Sequence, residues 1–188
     1  MSGVLKNEVK EARDISLIYV NVPFCKYRCD FCCFARSFGP DLLSINKFRV
    51  SYLRTLKREL AVKSFYFTTK HNVNLKAINF GGGTPSLLTV QELREVLLSI
   101  PKFFSQKINE IKDISIEATP DSLTYTKLKE LRSIGFNRIS IGAQTFNQRI
   151  LNKLNRKHSV RDFYTSYDWA RSAGFENINI DMNCNFCT

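Results

Sequence analysis

Apolar positions recur along the chain with two alternating periods, close to 2 and close to 3.6 residues, which are the periods of a strand and of a helix. Ile15 to Val22 is a short β-rich apolar run closed by Pro23, the pattern of a buried strand. A long helix is predicted next, from near Ser44, with Phe48, Tyr52, Leu56 and Leu60 four apart on one face. Leu75 to Phe80 reads as a second strand and runs directly into Gly81-Gly82-Gly83-Thr84-Pro85. Thr89 and Glu92 have the spacing of a capping box, opening a helix that buries Leu93, Val96, Leu97 and Ile100. A third strand is expected at Ile114 to Ala118, then a helix carrying Leu123, Leu128 and Leu131 that stops at Gly135. Arg138 to Gly142 supplies a fourth strand and Ile178 to Met182 a fifth. Between them, Ser159 and Asp162 open a helix that ends at Gly174.

An internal echo supports this order. Gly135-Phe136-Asn137-Arg138-Ile139-Ser140-Ile141 resembles Gly174-Phe175-Glu176-Asn177-Ile178-Asn179-Ile180, 39 residues later. Each copy is a helix stop, an aromatic and an alternating strand, which is one βα period. Such units require a parallel sheet with right-handed crossovers. In such sheets the chemistry gathers at the C-terminal ends of the strands. The cysteine group, the glycine triplet, Glu117, Gln144 and Asp181 all fall at or just beyond those ends.

Composition narrows the class. The chain has 188 residues, 44% of them hydrophobic and 24% charged, which fits one folded domain with a core and excludes a disordered tail. No apolar run approaches the roughly 18 residues of a membrane span. The polar start, Met1 to Glu8, lacks an apolar signal region, so a cytoplasmic location is expected. The 28 basic and 17 acidic residues leave +11, which favours anionic partners such as a polycarboxylate, a phosphorylated ligand or nucleic acid. The basic residues are dispersed, however, and the densest group, Lys153 to Arg161, fits a solvated helix face. Nucleic acid is therefore not the expected partner.

The six cysteines carry more information than the charge. Four lie within Cys25-Lys26-Tyr27-Arg28-Cys29-Asp30-Phe31-Cys32-Cys33, and two end the chain as Cys184 and Cys187. A secreted disulfide framework would spread them through a short chain. The tight group points instead to a reduced compartment and a metal. The Cys25-x3-Cys29-x2-Cys32 spacing offers three soft thiolates from one loop. Zinc commonly takes two separated pairs, whereas iron–sulfur clusters take closely packed thiolates. On spacing alone, chance clustering or a zinc knuckle remains the alternative.

With Tyr19-Val20-Asn21-Val22-Pro23-Phe24-Cys25 in front of that spacing, the chain resembles the radical S-adenosylmethionine (SAM) enzymes. More narrowly, it resembles the oxygen-independent coproporphyrinogen III oxidases and the haem chaperones related to them. The narrower likeness rests on Phe80-Gly81-Gly82-Gly83-Thr84-Pro85, Ile116-Glu117, the string from Asn137 to Gln144, and Asn155-Arg156. It runs from about residue 16 to Asp181. The resemblance implies an α/β fold, a partial radical-SAM (β/α) barrel of about five parallel strands with helices outside. It implies that Cys25, Cys29 and Cys32 hold a [4Fe–4S] cluster whose open iron chelates SAM, and that one electron cleaves SAM to a 5′-deoxyadenosyl radical. Tyr19 and Phe31 match positions packing around cluster and SAM. Gly82, Gly83 and Thr84 match the loop that receives the methionine end, where a glycine permits close backbone approach. On that reading Gly83→Val should exclude SAM and leave the cluster intact. Glu117, Gln144, Arg156 and Asp181 match positions that contact SAM, in one case a second SAM. The activity implied is oxidative decarboxylation of coproporphyrinogen III, with an electron donor such as flavodoxin or ferredoxin. A haem chaperone, a radical methyltransferase and an anaerobic haem-degrading enzyme are the alternatives.

The chain departs from that pattern in places. Asn21 stands where relatives commonly carry histidine, and Cys33 directly follows the third ligand and is read as a non-ligand. His71 and His158 lie among polar residues and are given no role. After Asp181 the pattern gives way to Met182-Asn183-Cys184-Asn185-Phe186-Cys187-Thr188, whose CxxC has the form of a redox or zinc motif but is read as the aberrant end of a truncated or frameshifted chain. The expected organisation is an N-terminal extension over 1–14, an incomplete radical-SAM core over 15–183 and a tail over 184–188.

Overall fold

The computed structural model describes residues 15–33, 37–38, 42–71 and 73–183. The strand and helix order is β1 (Ile15–Val22), β2 (Phe24–Cys25), β3 (Ser37–Phe38), α1 (Leu42–Lys70), β4 (Val73–Gly82) and α2 (Val90–Phe103). There follow β5 (Asp113–Ala118), α3 (Tyr125–Ser133), β6 (Arg138–Gln144), α4 (Gln148–Lys153), α5 (Val160–Ser172) and β7 (Asn177–Met182). Five strands form one parallel sheet in the order β1-β4-β5-β6-β7, so neighbouring strands are joined by helical crossovers. The expected α/β architecture of about five parallel strands is what the chain adopts.

Register explains the core. Val20, Phe80, Ile116, Ile139 and Ile178 are successive partners across the sheet, one apolar row on the face the helices cover. One residue earlier, Tyr19, Asn79, Ser115, Arg138 and Asn177 form the matching row. Side chains alternate between faces along a strand, so this second face is polar. Arg138 there holds Asp113 through two hydrogen bonds, of 3.0 and 2.7 Å, and reaches Ser115. On the apolar side Phe80 and Phe136 meet edge to face at 5.3 Å, above fully buried Leu97, Ile100 and Leu131. Each such side chain contributes about 1.5–3 kcal/mol by leaving water.

Both expected capping boxes form, at Thr89–Glu92 on α2 and Ser159–Asp162 on α5. Three expectations change. The helix after β5 starts at Tyr125 with Thr124 as its cap, so Leu123 is buried in the turn before it. α1 begins at Leu42, ahead of Ser44, and Phe48 is 63% exposed while Leu60 is buried. The four-residue stripe drifts around a helix of 3.6 residues per turn, and over 12 residues it leaves the contact face. Finally, α4 and the short β2–β3 pair lack any sequence period, because elements of six and two residues are too short to express one. Cys184, Cys187 and the extension over 1–14 lie outside the described residues.

Candidate metal and cofactor cleft

Pro23 ends β1, and β2 then delivers Cys25 directly at the C-terminal edge of the sheet. Two backbone bonds fix this turn against the glycine loop: Gly83 N–H donates to Val22 O at 2.8 Å and Thr84 N–H to Phe24 O at 2.7 Å. Cys25 and Cys29 are buried, Cys32 is partly covered and Cys33 is exposed. The turn between the second and third cysteines is closed by Cys32 N–H donating to Cys29 O at 3.1 Å. From the other side, Asn155 Nδ2 donates to Arg28 O at 2.6 Å and Asp30 N–H to Leu154 O at 3.3 Å. Asn155 holds a left-handed backbone (φ 56°) to do this, a conformation asparagine tolerates better than most residues.

These contacts frame a cleft of about 170 Å³ at the strand ends. Its wall includes Cys25, Cys29, Cys32, Phe31, Gly82, Gly83, Thr84, Glu117, Gln144, Arg156 and Asp181. The structure therefore brings eleven of the twelve residues singled out from the sequence to one cavity. Tyr19 is the exception. It is half exposed on β1, and its hydroxyl and the Glu117 carboxylate crowd the point where a Cβ on Gly81 would stand.

Charge in the cleft is divided. Glu117 accepts the Gly82 N–H at 3.2 Å, and Asp181 accepts the Ser140 hydroxyl at 2.7 Å. Burial pushes the Glu117 carboxyl above its usual range, the Gly82 bond lowers it, and the nearby Asp181 charge raises it further. Burial and then Glu117 raise the Tyr19 hydroxyl as well. Arg156 is 8% exposed and donates from Nη2 to Gly142 O at 2.9 Å and from Nη1 to Cys29 Sγ at 3.5 Å. A Cβ on Gly142 would sit 2.8 Å from Gln144 Nε2, so a side chain there would shift the Gln144 amide. Gln144 ends β6 with a left-handed φ of 65°, strain of a kind that collects at functional sites.

Sequence reasoning passed over several contributors. Lys26 and Tyr27 line the cleft and are tied to Asp121 at 3.3 and 3.2 Å, and the Tyr27 ring lies 5.9 Å from the Arg156 guanidinium. Burial raises the Asp121 carboxyl, but hydrogen bonding from Thr119, the Lys26 charge and the Tyr27 hydroxyl bring it below its usual range. Only their place between two ligand-spaced cysteines marked Lys26 and Tyr27. His158, expected among polar neighbours, is 2% exposed, with Nε2 3.4 Å from Ala143 O. Burial and the adjacent Arg156 charge depress it to about 4.

Cys25, Cys29 and Cys32 line one wall of this cavity and are the residues that could hold a metal centre there, closely spaced thiolates being the usual ligands of an iron–sulfur cluster.

A parallel α/β sheet with three closely spaced loop cysteines at its C-terminal edge is the arrangement that comparison with known proteins assigns to a family. The radical SAM superfamily profile matches residues 19–188, and the chain belongs to that superfamily. It is 35% identical over 165 residues to the heme chaperone HemW of Bacillus subtilis, covering 87% of this chain and 41% of that protein. It is 29% identical to the oxygen-independent coproporphyrinogen III oxidase of Pseudomonas aeruginosa, covering 95% of this chain and 37% of the relative. The chain thus spans about two fifths of the length of these curated relatives. Among solved structures, coproporphyrinogen III oxidase (HemN) from Escherichia coli superposes with a TM-score of 0.75 at 29% identity, over 92% of this chain and 37% of that one. Among the described residues no helix is long and apolar enough to cross a membrane.

Proposed function

We propose that Cys25, Cys29 and Cys32 hold a [4Fe–4S] cluster and that the adjoining cleft takes SAM, in a protein acting on a porphyrin-type ligand. The observation that carries this is one cavity lined by three cysteines, an acidic pair and a buried guanidinium. SAM is a zwitterion with a sulfonium, so it needs both signs of charge within one molecule's length. Glu117 and Asp181 suit its cationic groups or ribose hydroxyls, and Arg156 suits its carboxylate. Thr84 and Gly82 bring the backbone close to the cavity, and Phe31 adds an aromatic side chain to its wall. When bound, such a cluster supplies the electron that cleaves SAM, an electron drawn from a flavodoxin- or ferredoxin-type donor.

For the substrate, the reading favoured by likeness of fold is oxidative decarboxylation of coproporphyrinogen III, whose four carboxylates suit a chain of charge +11. The 35% identity to a heme chaperone favours haem delivery without porphyrinogen turnover. Anaerobic reconstitution with iron and sulfide tests the shared core. Parent chain and Cys33→Ala should each gain about four irons and a sulfur-to-iron charge-transfer band, and Cys25→Ala, Cys29→Ala and Cys32→Ala should lose both. Iron retained by the triple variant, or zinc taken in its place, refutes the ligand assignment. Parallel titration with haem and assay with coproporphyrinogen III then separates the two readings. Turnover selects the oxidase, and haem binding without turnover selects the chaperone.

A further inference from the structure

Two side chains in the cleft already touch the sulfurs. Thr84, 7% exposed, points its hydroxyl at Cys25 Sγ at 3.5 Å, and Arg156 points Nη1 at Cys29 Sγ at the same distance. They arrive from different elements, Thr84 from the loop after β4 and Arg156 from the segment between α4 and α5. Both are held in place independently of the thiols. Thr84 is anchored by its own N–H on Phe24 O, and Arg156 by Nη2 on Gly142 O. Arg156 also has a buried Nε with no partner, and among the described residues no carboxylate forms an ion pair with it. A buried cation without a counter-charge is costly. A Cys29 sulfur bound to a cluster would supply that counter-charge.

We propose that Thr84 and Arg156 set the reduction potential of the cluster by donating hydrogen bonds to the Cys25 and Cys29 thiolates. The proposal rests on the ligand assignment above and adds a role to two residues otherwise read as SAM contacts. The physical basis is that reduction adds negative charge to the cluster and its sulfurs. Donors and positive charge aimed at those sulfurs favour the reduced form and raise the potential. Removing a donor should make the cluster harder to reduce.

The test is redox titration of the reconstituted 188-residue chain without SAM, followed by EPR, at matched iron per chain. A role confined to SAM binding would leave this potential unmoved. Thr84→Val keeps the shape and removes the hydroxyl. It should lower the reduced-to-oxidised ratio at fixed poise about tenfold, equivalent to about 59 mV for one electron. Thr84→Ser should stay near the parent. Arg156→Gln should move the potential the same way by at least as much, and Arg156→Lys, which keeps charge without the planar fork, should fall between. If Arg156→Gln does not hold a cluster, Thr84→Val decides alone. Potentials equal to the parent's in clusters of full iron content overturn the tuning role and leave the ligand assignment standing. A parent chain that takes up no cluster overturns both.

Discussion

A methyl group on Gly83 would stand 2.9 Å from both the carbonyl carbon and the amide nitrogen of Phe24, the residue immediately before Cys25. The glycine loop therefore makes its close approach to the cysteine loop's own backbone, and this alters the expected effect of substitution. Gly83→Ala should not subtract SAM selectively. It should displace Phe24 and Cys25, cost about 1–3 kcal/mol as an overpacked site, and lower iron retention together with SAM binding. Urea midpoint and iron content, read side by side, check this, and an unchanged midpoint would contradict it. His158 makes a second prediction at this scale. Its folded value of about 4 lies below the ordinary 6.5, so the unfolded chain binds the extra proton between those pH values. Its contribution is fully present above about 6.5 and is lost as pH falls towards 4, by up to about 3 kcal/mol. His158→Gln should flatten the pH dependence of the urea midpoint across that window. Dispersed charge substitutions elsewhere should not.

At the scale of elements, the site depends on loops clamped by their neighbours. The segment after α4 reaches the cysteine loop through Asn155 Nδ2 on Arg28 O, and through Leu154 O, which accepts from Asp30. Asn155→Ala removes a side-chain bond and keeps an unfavourable positive φ, a loss of about 1–2 kcal/mol. The expected outcome is faster cluster loss on exposure to chelator, with circular dichroism unchanged. Asn155→Gly, which relieves the backbone strain, should differ from it by stability and not by chelator rate. α2 offers a control far from the cleft. Thr89→Ala removes the side-chain half of its capping box, the bond from Glu92 N–H, and should cost about 1 kcal/mol in urea denaturation without changing iron content.

For the whole molecule, the side of β7 that no strand pairs among the described residues matters most. β7 pairs with β6 on one side, and Asn177 and residues 179–182 are exposed. Ile180 and Met182 stand 42% and 47% exposed along that edge. Unpaired strand edges of this kind template pairing with another chain. The 188-residue chain should therefore self-associate at micromolar concentration, and Ile180→Lys should shift its sedimentation toward monomer. A parent chain that sediments as monomer throughout would remove the edge as a liability. The same edge carries Asp181, so association through β7 would also cover one wall of the cleft.

The sequence by itself determined the alternation of strands and helices, the parallel sheet, two capping boxes and the cysteine and glycine loops at the strand ends. These features are written locally, in periods of 2 and 3.6 residues, in cap spacings and in a cysteine group closed within nine positions. Fold class followed because each βα unit must bury one face, and parallel pairing is the arrangement that allows it. What only the tertiary structure decided are pairings between residues far apart in the chain. Thr84 on Cys25, Arg156 on Cys29 and Asn155 on Arg28 join positions 59 and 127 apart, and no local pattern encodes such a contact. Burial of His158 and exposure of Phe48 and Tyr19 belong to the same kind, since a side chain's environment is set by what packs over it. The purpose of Gly83 was hidden for the same reason. Composition announces a glycine, and only the fold reveals that its neighbour is the backbone of Phe24.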